Sequence, residues 1–315
     1  NSIKRQDRVR VVIVEIGSIN VDYIINSKRL PIPGETFYGD DVTIMAGGKG
    51  ANQIAAAARL GAKTVFLSKV GGLDPNNSIL FKDFEWAGID TKYIETVDNV
   101  YSGSGYVMVL EDSQNCIIII EGANKFITPE YIEKHRDIIK QANVCMTEFM
   151  IPMETCEYSM KLAKEAGITT LVNPAPSRPI GDSFYKYIDI ITPNEVEAAD
   201  LCGFKIETEA DAARCCDYFH DKGVKYVVIT LGSRGAFVSD GSKRMMIDSY
   251  KVKAVDTSGA GDSFNGGLAY ALDRGYDIFE SARFGNAVAS RSILRTGTLR
   301  SMPTLAEVEE IYQLK

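Results

Sequence analysis

Histidine is nearly absent from this chain. His135 and His220 are the two in 315 residues, and both lie in charged helical segments, where they read as solvated. A Ser-His-Asp triad or a histidine-bound metal has almost nothing to be built from. No C-x-x-C pair occurs among Cys116, Cys145, Cys156, Cys202, Cys215 and Cys216, so no zinc site is expected. Cys116 and Cys145 lie inside apolar runs, where a free thiol packs as a small hydrophobe. That usage points to a reducing compartment and a cytoplasmic protein. No apolar stretch approaches the ~18 residues of a membrane-spanning helix. Residues 1–8 carry no apolar run and read as a polar tail, not a signal peptide. The net charge is −7 and no long basic run occurs, so nucleic acid is not an expected partner. A polyphosphate ligand would then need local devices: backbone N–H groups, a few Lys or Arg, and a divalent metal.

What the chain does have is alternation. With 45% hydrophobic and 24% charged residues it has ordinary globular composition. Strand-like runs at 11–16, 64–70, 144–148, 168–173, 188–192 and 226–231 interleave with helical patterns at 52–60, 129–141, 153–166, 195–201 and 209–222. Thr128-Pro129 looks like an N-cap with proline at N1, and Gly61 like a helix stop. Thr208 to Asp211 and Thr304 to Glu307 look like capping boxes. The pattern predicts one α/β domain over 9–315: a doubly wound, mostly parallel sheet with helices on both faces. Ligands of such sheets bind at the carboxyl ends of the strands. Here those ends carry Glu148, Asn173, Asn194 and Gly232-Ser233-Arg234.

Two segments break the pattern. Residues 22–45 lack helical period and contain Pro31, Pro33 and Gly34. Residues 101–120 are β-rich, with a turn at Glu111-Asp112-Ser113. Together they predict antiparallel strands projecting as a small β-lid, which would exclude water from the chemistry. Its exposed edges would need covering by a second subunit.

The chemistry concentrates in short glycine-rich segments. Asp256-Thr257-Ser258-Gly259-Ala260-Gly261-Asp262 is a small-residue turn opening a helix, a backbone cradle for an anion. A carboxylate at its rim suits a transferred phosphoryl group, with Asp262 taking a proton from the attacking hydroxyl. A plain helix start with an acidic first-turn residue would look the same. Gly47-Gly48-Lys49-Gly50-Ala51-Asn52-Gln53 also leads into a helix, but Gly50 stands where a P-loop needs Ser or Thr. In Gly17-Ser18-Ile19-Asn20-Val21-Asp22, the residues Asn20 and Asp22 point to one side of an extended chain. With Lys49, Asn52 and Glu148 they form a set suited to a polyhydroxylated ligand, a sugar without a phosphate. Asn194 to Glu197 and Thr230 to Gly235 suit a nucleotide, Glu197 holding waters around Mg²⁺ and Arg234 reaching phosphates. A plain β-turn is the alternative for Thr230 to Gly235. Gly103-Ser104-Gly105 reads as strand flexibility. A nicotinamide oxidoreductase is disfavoured, since Ser18-Ile19-Asn20 stands where the dinucleotide fingerprint belongs.

These motifs resemble the signatures of the PfkB carbohydrate kinases, the ribokinase family. Pro33-Gly34-Glu35-Thr36, Gly122-Ala123-Asn124 and Asn173-Pro174-Ala175-Pro176 add to the likeness, which runs from about Val11 to the C-terminus. The resemblance implies ATP-dependent phosphorylation of a sugar, D-ribose at O5. It assigns Asn20, Asp22, Gly48, Lys49, Gly50, Ala51, Asn52 and Glu148 to the sugar. Asp262 becomes the base, with Gly259, Ala260 and Gly261 as anion hole. Asn194, Thr230, Leu231, Gly232, Ser233, Arg234, Gly235 and Asn286 would line the ATP site, and Glu197 would organise Mg²⁺. Asp256, Ser258, Ser292, Arg295, Gly297 and Ser301 would surround an activating K⁺, mostly through carbonyls. The family also implies a homodimer through the lid. A deoxyribose, fructose or nucleoside kinase is the alternative, with Tyr101 and Tyr106 available to hold a base. A non-catalytic sugar sensor on this fold would be expected to lose Asp262 or its glycines, and both are present.

Overall fold

A computed structural model describes residues 13–111 and 115–314. The expected polar tail, the first two residues of the first strand, and Asp112 and Ser113 of the lid turn lie outside these. The chain opens with β1 (Ile13–Ile16), β2 (Asn20–Ser27) and β3 (Asp41–Gly47), then α1 (Lys49–Arg59), β4 (Thr64–Gly71) and α2 (Asn77–Ala87). Next come β5 (Ile94–Val97), β6 (Gly103–Leu110), β7 (Asn115–Ile120), α3 (Pro129–Lys134) and α4 (Arg136–Ile139). The middle runs β8 (Val144–Glu148), α5 (Met153–Glu165), β9 (Thr169–Asn173), α6 (Asp182–Tyr185), β10 (Ile190–Ile191), α7 (Glu195–Cys202) and α8 (Glu209–Asp221). It closes with β11 (Tyr226–Thr230), β12 (Ala236–Ser239), β13 (Arg244–Ile247), α9 (Ala260–Asp273), α10 (Ile278–Ser292) and α11 (Leu305–Glu309).

Nine strands form one sheet in the order β13-β12-β11-β10-β9-β8-β1-β4-β5. From β11 to β5 the pairs are parallel; β12 and β13 append an antiparallel edge. The interior strands are buried on both faces, as the apolar runs require. One face packs α3, α5 and α8 over a core with Phe149, Phe184 and Phe219. The other packs α1, α2, α9 and α10 over Ile54, Phe66, Phe84 and Phe264.

Caps mark several helix starts. Thr128 Oγ1 accepts from Tyr131 N, with Pro129 at N1. Thr208 and Thr304 close capping boxes with Asp211 and Glu307. The helix expected over 129–141 breaks at His135, whose Nδ1 donates to the Tyr131 carbonyl while its ring packs against Tyr93 and Tyr131. His220 is likewise engaged, between the Val224 carbonyl and Ser239 Oγ. Both histidines are thus half-buried and tied into the fold by hydrogen bonds. The expected pattern lacked α2, β5 and α10, among others. α2 carries Phe81 and Trp86 outside its buried Leu80–Phe84–Ala87 stripe, which blurs the helical period. β5 has four residues at the sheet edge.

The lid is a separate four-stranded sheet, β3-β2-β6-β7. Its central pair, β2 and β6, is parallel, not antiparallel as expected. After β3 the chain returns to the main domain through α1, β4, α2 and β5. It then re-enters the lid along β2 in the same direction.

Candidate active site

α1 and α9 lie almost in contact. A Cβ on Gly266 would sit 2.4 Å from the Ala56 methyl, so only glycine there permits the spacing. That approach brings the first turns of both helices together. Asn52 Nδ2 donates to Asp262 Oδ2 at 3.0 Å, and Gln53 Nε2 donates to Asp262 Oδ1 at 3.1 Å. Gln53 also donates to Asn173 Oδ1 at 3.1 Å, at the end of β9. Asp262 is buried, and two amides fix its plane. One of the two, Gln53, ended the α1 motif without being assigned a role in the sequence.

Gly259 caps α9 in a left-handed conformation, with φ 71°. The amides of Gly261 and Asp262, at the second and third helical positions, have no intrahelical acceptor. They face a chamber of about 150 Å³, lined among others by Lys49, Asn194, Glu197, Thr257, Gly259 and Asp262. Lys49 also lines a neighbouring cavity of about 780 Å³, bounded by Ile117, Ile119, Lys125, Met150 and Arg178. It therefore stands at the junction of two spaces. Burial disfavours its charge, but the fields of Asp262, Glu197 and Glu148 outweigh that and raise its pKa. It stays an ammonium.

The sugar-type set converges from three elements, β2, α1 and β8. Gly47, Gly103 and Gly105 are bare for one reason: a Cβ on Gly47 or Gly105 would strike the Asp22 carboxylate, and one on Gly103 the Asn20 and Asn124 amides. Gly103-Ser104-Gly105 therefore makes room for the site and does not loosen the strand. Asn20 Oδ1 accepts from Asn124 Nδ2 at 2.9 Å, and Asn124 is itself held by the Ile19 backbone. Burial and the nearby Asp262 charge push the Asp22 carboxyl up to about 7. Glu148 is buried, its oxygens accepting from Ser18 N and Met150 N, each at 2.6 Å. Burial raises its pKa against those hydrogen bonds and the pull of Lys49. Gly48 leads into α1 at φ 93°, Gly50 packs against Gly17, and the Ala51 amide is taken by the Ser18 carbonyl. Ala51 thus shapes the floor instead of offering a donor. Ser18 Oγ, Asn52 Oδ1 and Gln53 Oε1 are buried without a partner.

On the other side of the chamber, Asn194 Oδ1 accepts from Val196 N and Glu197 N, and Glu197 Oε2 accepts from Asn194 N. Burial is the main cause raising the Glu197 pKa. Among the described residues no group of three or more His, Cys, Asp or Glu is placed to hold a metal. A metal near Glu197 would rest mainly on phosphate and water. Thr230 lines the chamber and bridges to Asn194. Leu231 is buried, and Gly232 and Gly235 turn the chain at φ 57° and 99°. Ser233 is exposed, and its carbonyl accepts from Ser249 Oγ. Arg234 pairs with Glu195 at 2.6 Å. Asn286 donates to the Ile247 and Asp248 carbonyls and so holds the loop after β13.

Asp256 ties two loops together. Its oxygens accept from Ser258 N and Gly297 N, each at 2.9 Å. Burial raises its pKa, but these backbone donors outweigh it, and the net shift is downward. Around it, Arg295 pairs with Glu307, Ser301 Oγ donates to the Thr298 carbonyl, and Ser292 Oγ donates to the Ala289 carbonyl.

The sequence matches the model of the pfkB family carbohydrate kinases over residues 12–305, and the chain belongs to that family. It is 38% identical to a ribokinase of Haemophilus influenzae over 97% of this chain and 99% of that one. It is 34% identical to a deoxyribokinase of Salmonella typhi, covering 96% and 99%. Its fold superposes on Arabidopsis thaliana ribokinase, complexed with ribose and ATP, with TM-score 0.90 at 32% identity, over 96% and 98% of the chains.

Proposed function

We propose that this carbohydrate kinase is a ribokinase, transferring the γ-phosphoryl group of ATP to O5 of D-ribose. The observation that carries this is the Asp262 carboxylate. It is held by Asn52 and Gln53 beside free helix-start amides, where the sugar-type residues meet the chamber of about 150 Å³. In this reading ribose lies on Asn20, Asp22, Asn52 and Glu148, and the orphaned Ser18 and Asn52 oxygens meet its hydroxyls. Asp262 takes the O5 proton as O5 forms its bond to the γ-phosphorus and the bond to the bridging β–γ oxygen breaks. The Gly259–Gly261 cradle and Lys49 meet the charge gathering on the phosphoryl oxygens. Asn194, Thr230 to Gly235 and Asn286 border the nucleotide. Mg²⁺ near Glu197 would neutralise phosphate charge, and K⁺ in the Asp256–Gly297 loops would stiffen the cradle. The 34% identity with a deoxyribokinase makes 2-deoxyribose the competing substrate.

ADP release measured against ribose, deoxyribose, fructose and adenosine tests the substrate. Ribose is expected to have the highest kcat/KM, and preference for another sugar overturns the assignment. Asp262→Asn is expected to lower kcat by ~10²–10⁴-fold with nucleotide binding kept.

A further inference from the structure

Close to Glu148 lies a carboxyl group that none of these roles uses. Glu15 is in the middle of β1, fully buried, and neither of its oxygens has a hydrogen-bond partner. Ile13 shares its face of the strand, and packing there needs only another apolar side chain. A Cβ placed on Gly17 would be 2.7 Å from Glu15 Oε1 and 3.0 Å from Glu148 Oε1. The two carboxyl groups therefore flank a single point, one glycine apart. Two like charges this close in a dry site are not both ionised. Glu148 has two backbone N–H donors and the field of Lys49 to support its charge. Glu15 has none of these.

We propose that Glu15 is a neutral, proton-bearing positioning residue, which offers its O–H to Glu148 and holds that carboxylate in place under the sugar. This rests on the reading of Glu148 as a sugar ligand. The proton stays on Glu15 through the reaction; no bond is made or broken there. The charged groups facing it are Glu148 on β8 and Asp262 on α9. Burial is the first cause holding its carboxyl well above the ordinary range, and the Glu148 and Asp262 charges add to it. In sign, the neutral form is favoured by folding. The stability it contributes is complete below the ordinary glutamate pKa and is lost as pH rises through the folded value.

Three variants test this. In the infrared difference between wild type and Glu15→Gln at neutral pH, a protonated-carboxyl C=O band is expected to vanish. In wild type the same band should shift when ribose is added. No lost band, or one indifferent to ribose, overturns the proposal. Glu15→Gln keeps a donor, and its sugar KM is expected within about threefold of wild type. Glu15→Leu is expected to raise that KM about tenfold, the scale of one hydrogen bond to a charged group, with kcat little changed. An unchanged KM in Glu15→Leu overturns the proposal, and should that variant not fold, the infrared result decides alone. Glu148→Gln separates the two readings. If it leaves sugar KM unchanged, Glu148 is no sugar ligand and the proposal falls with that reading. If it raises KM while Glu15→Leu does not, only the role of Glu15 is lost.

Discussion

Asp22 and Asp262 are two neighbouring carboxyl groups set apart by environment. Asp262 is bound by two amide donors, while Asp22 is pushed up to about 7 by burial and by Asp262 itself. A carboxylate can accept from two sugar hydroxyls; a neutral carboxyl accepts less well and competes as a donor. The kcat/KM for ribose is therefore expected to rise as pH climbs through about 7. Asp22→Asn should flatten that rise and keep kcat/KM low. A wild-type profile level from pH 6 to 8 contradicts this role. Gln53 matters through what it holds. Gln53→Leu leaves oxygens of Asp262 and Asn173 buried without a donor, a cost of about 1–3 kcal/mol. Thermal unfolding should show the loss, and if Asp262 is the proposed base kcat should fall as its carboxylate loses its fixed plane.

At the scale of elements, the α1–α9 contact makes the site. Gly266 and the Ala55–Ala57 stretch let two helix starts from distant parts of the chain share one carboxylate. Gly266→Ala adds a methyl 2.4 Å from that of Ala56, and overpacking of this kind costs typically about 1–3 kcal/mol. The expected outcome is a lower melting temperature and a kcat loss larger than any change in ribose KM. A kcat equal to wild type contradicts the idea that helix spacing sets the geometry of Asp262. A second link runs from the lid: Thr298 Oγ1 donates to the Ala46 carbonyl at the end of β3, and Thr298 also packs against Gly259. The end of lid strand β3, the loop after α10 and the N-terminus of α9 thus meet in one side chain.

For the whole molecule, two expectations concern pairing of the lids and a proposed monovalent ion. Ile117 to Ile120 on β7 and Val42 on β3 are exposed, on strands at both edges of the lid sheet. Pairing of two lids would cover them, so a dimer is expected in light scattering. Ile118→Lys should shift it toward monomer, and a wild-type monomer at all concentrations rejects the arrangement. Replacing K⁺ by a large organic cation is expected to lower kcat, and Asp256→Ala to remove that dependence. Equal rates in both salts exclude an ion site in the Asp256–Gly297 loops.

The parallel sheet, most of its helices and the motifs of the site were legible in the sequence. Strand runs, caps and glycine turns are local: Thr128 with Pro129, or Gly259 before Asp262, act within one turn of chain. The sequence also placed Asn20, Asp22, Glu148 and Asp262 as chemistry-bearing residues. It did not show that Gly103 and Gly105 are empty to admit Asn20 and Asp22, that Gln53 holds the Asp262 carboxylate, or that β2 and β6 run parallel. Nor did it show that Glu15, in an otherwise apolar strand, lies against Glu148. Each of these is a contact between segments from about 80 to 210 residues apart. A backbone preference is fixed by neighbours along the chain. The meaning of a missing side chain or an unpaired carboxyl is fixed by what folding brings beside it.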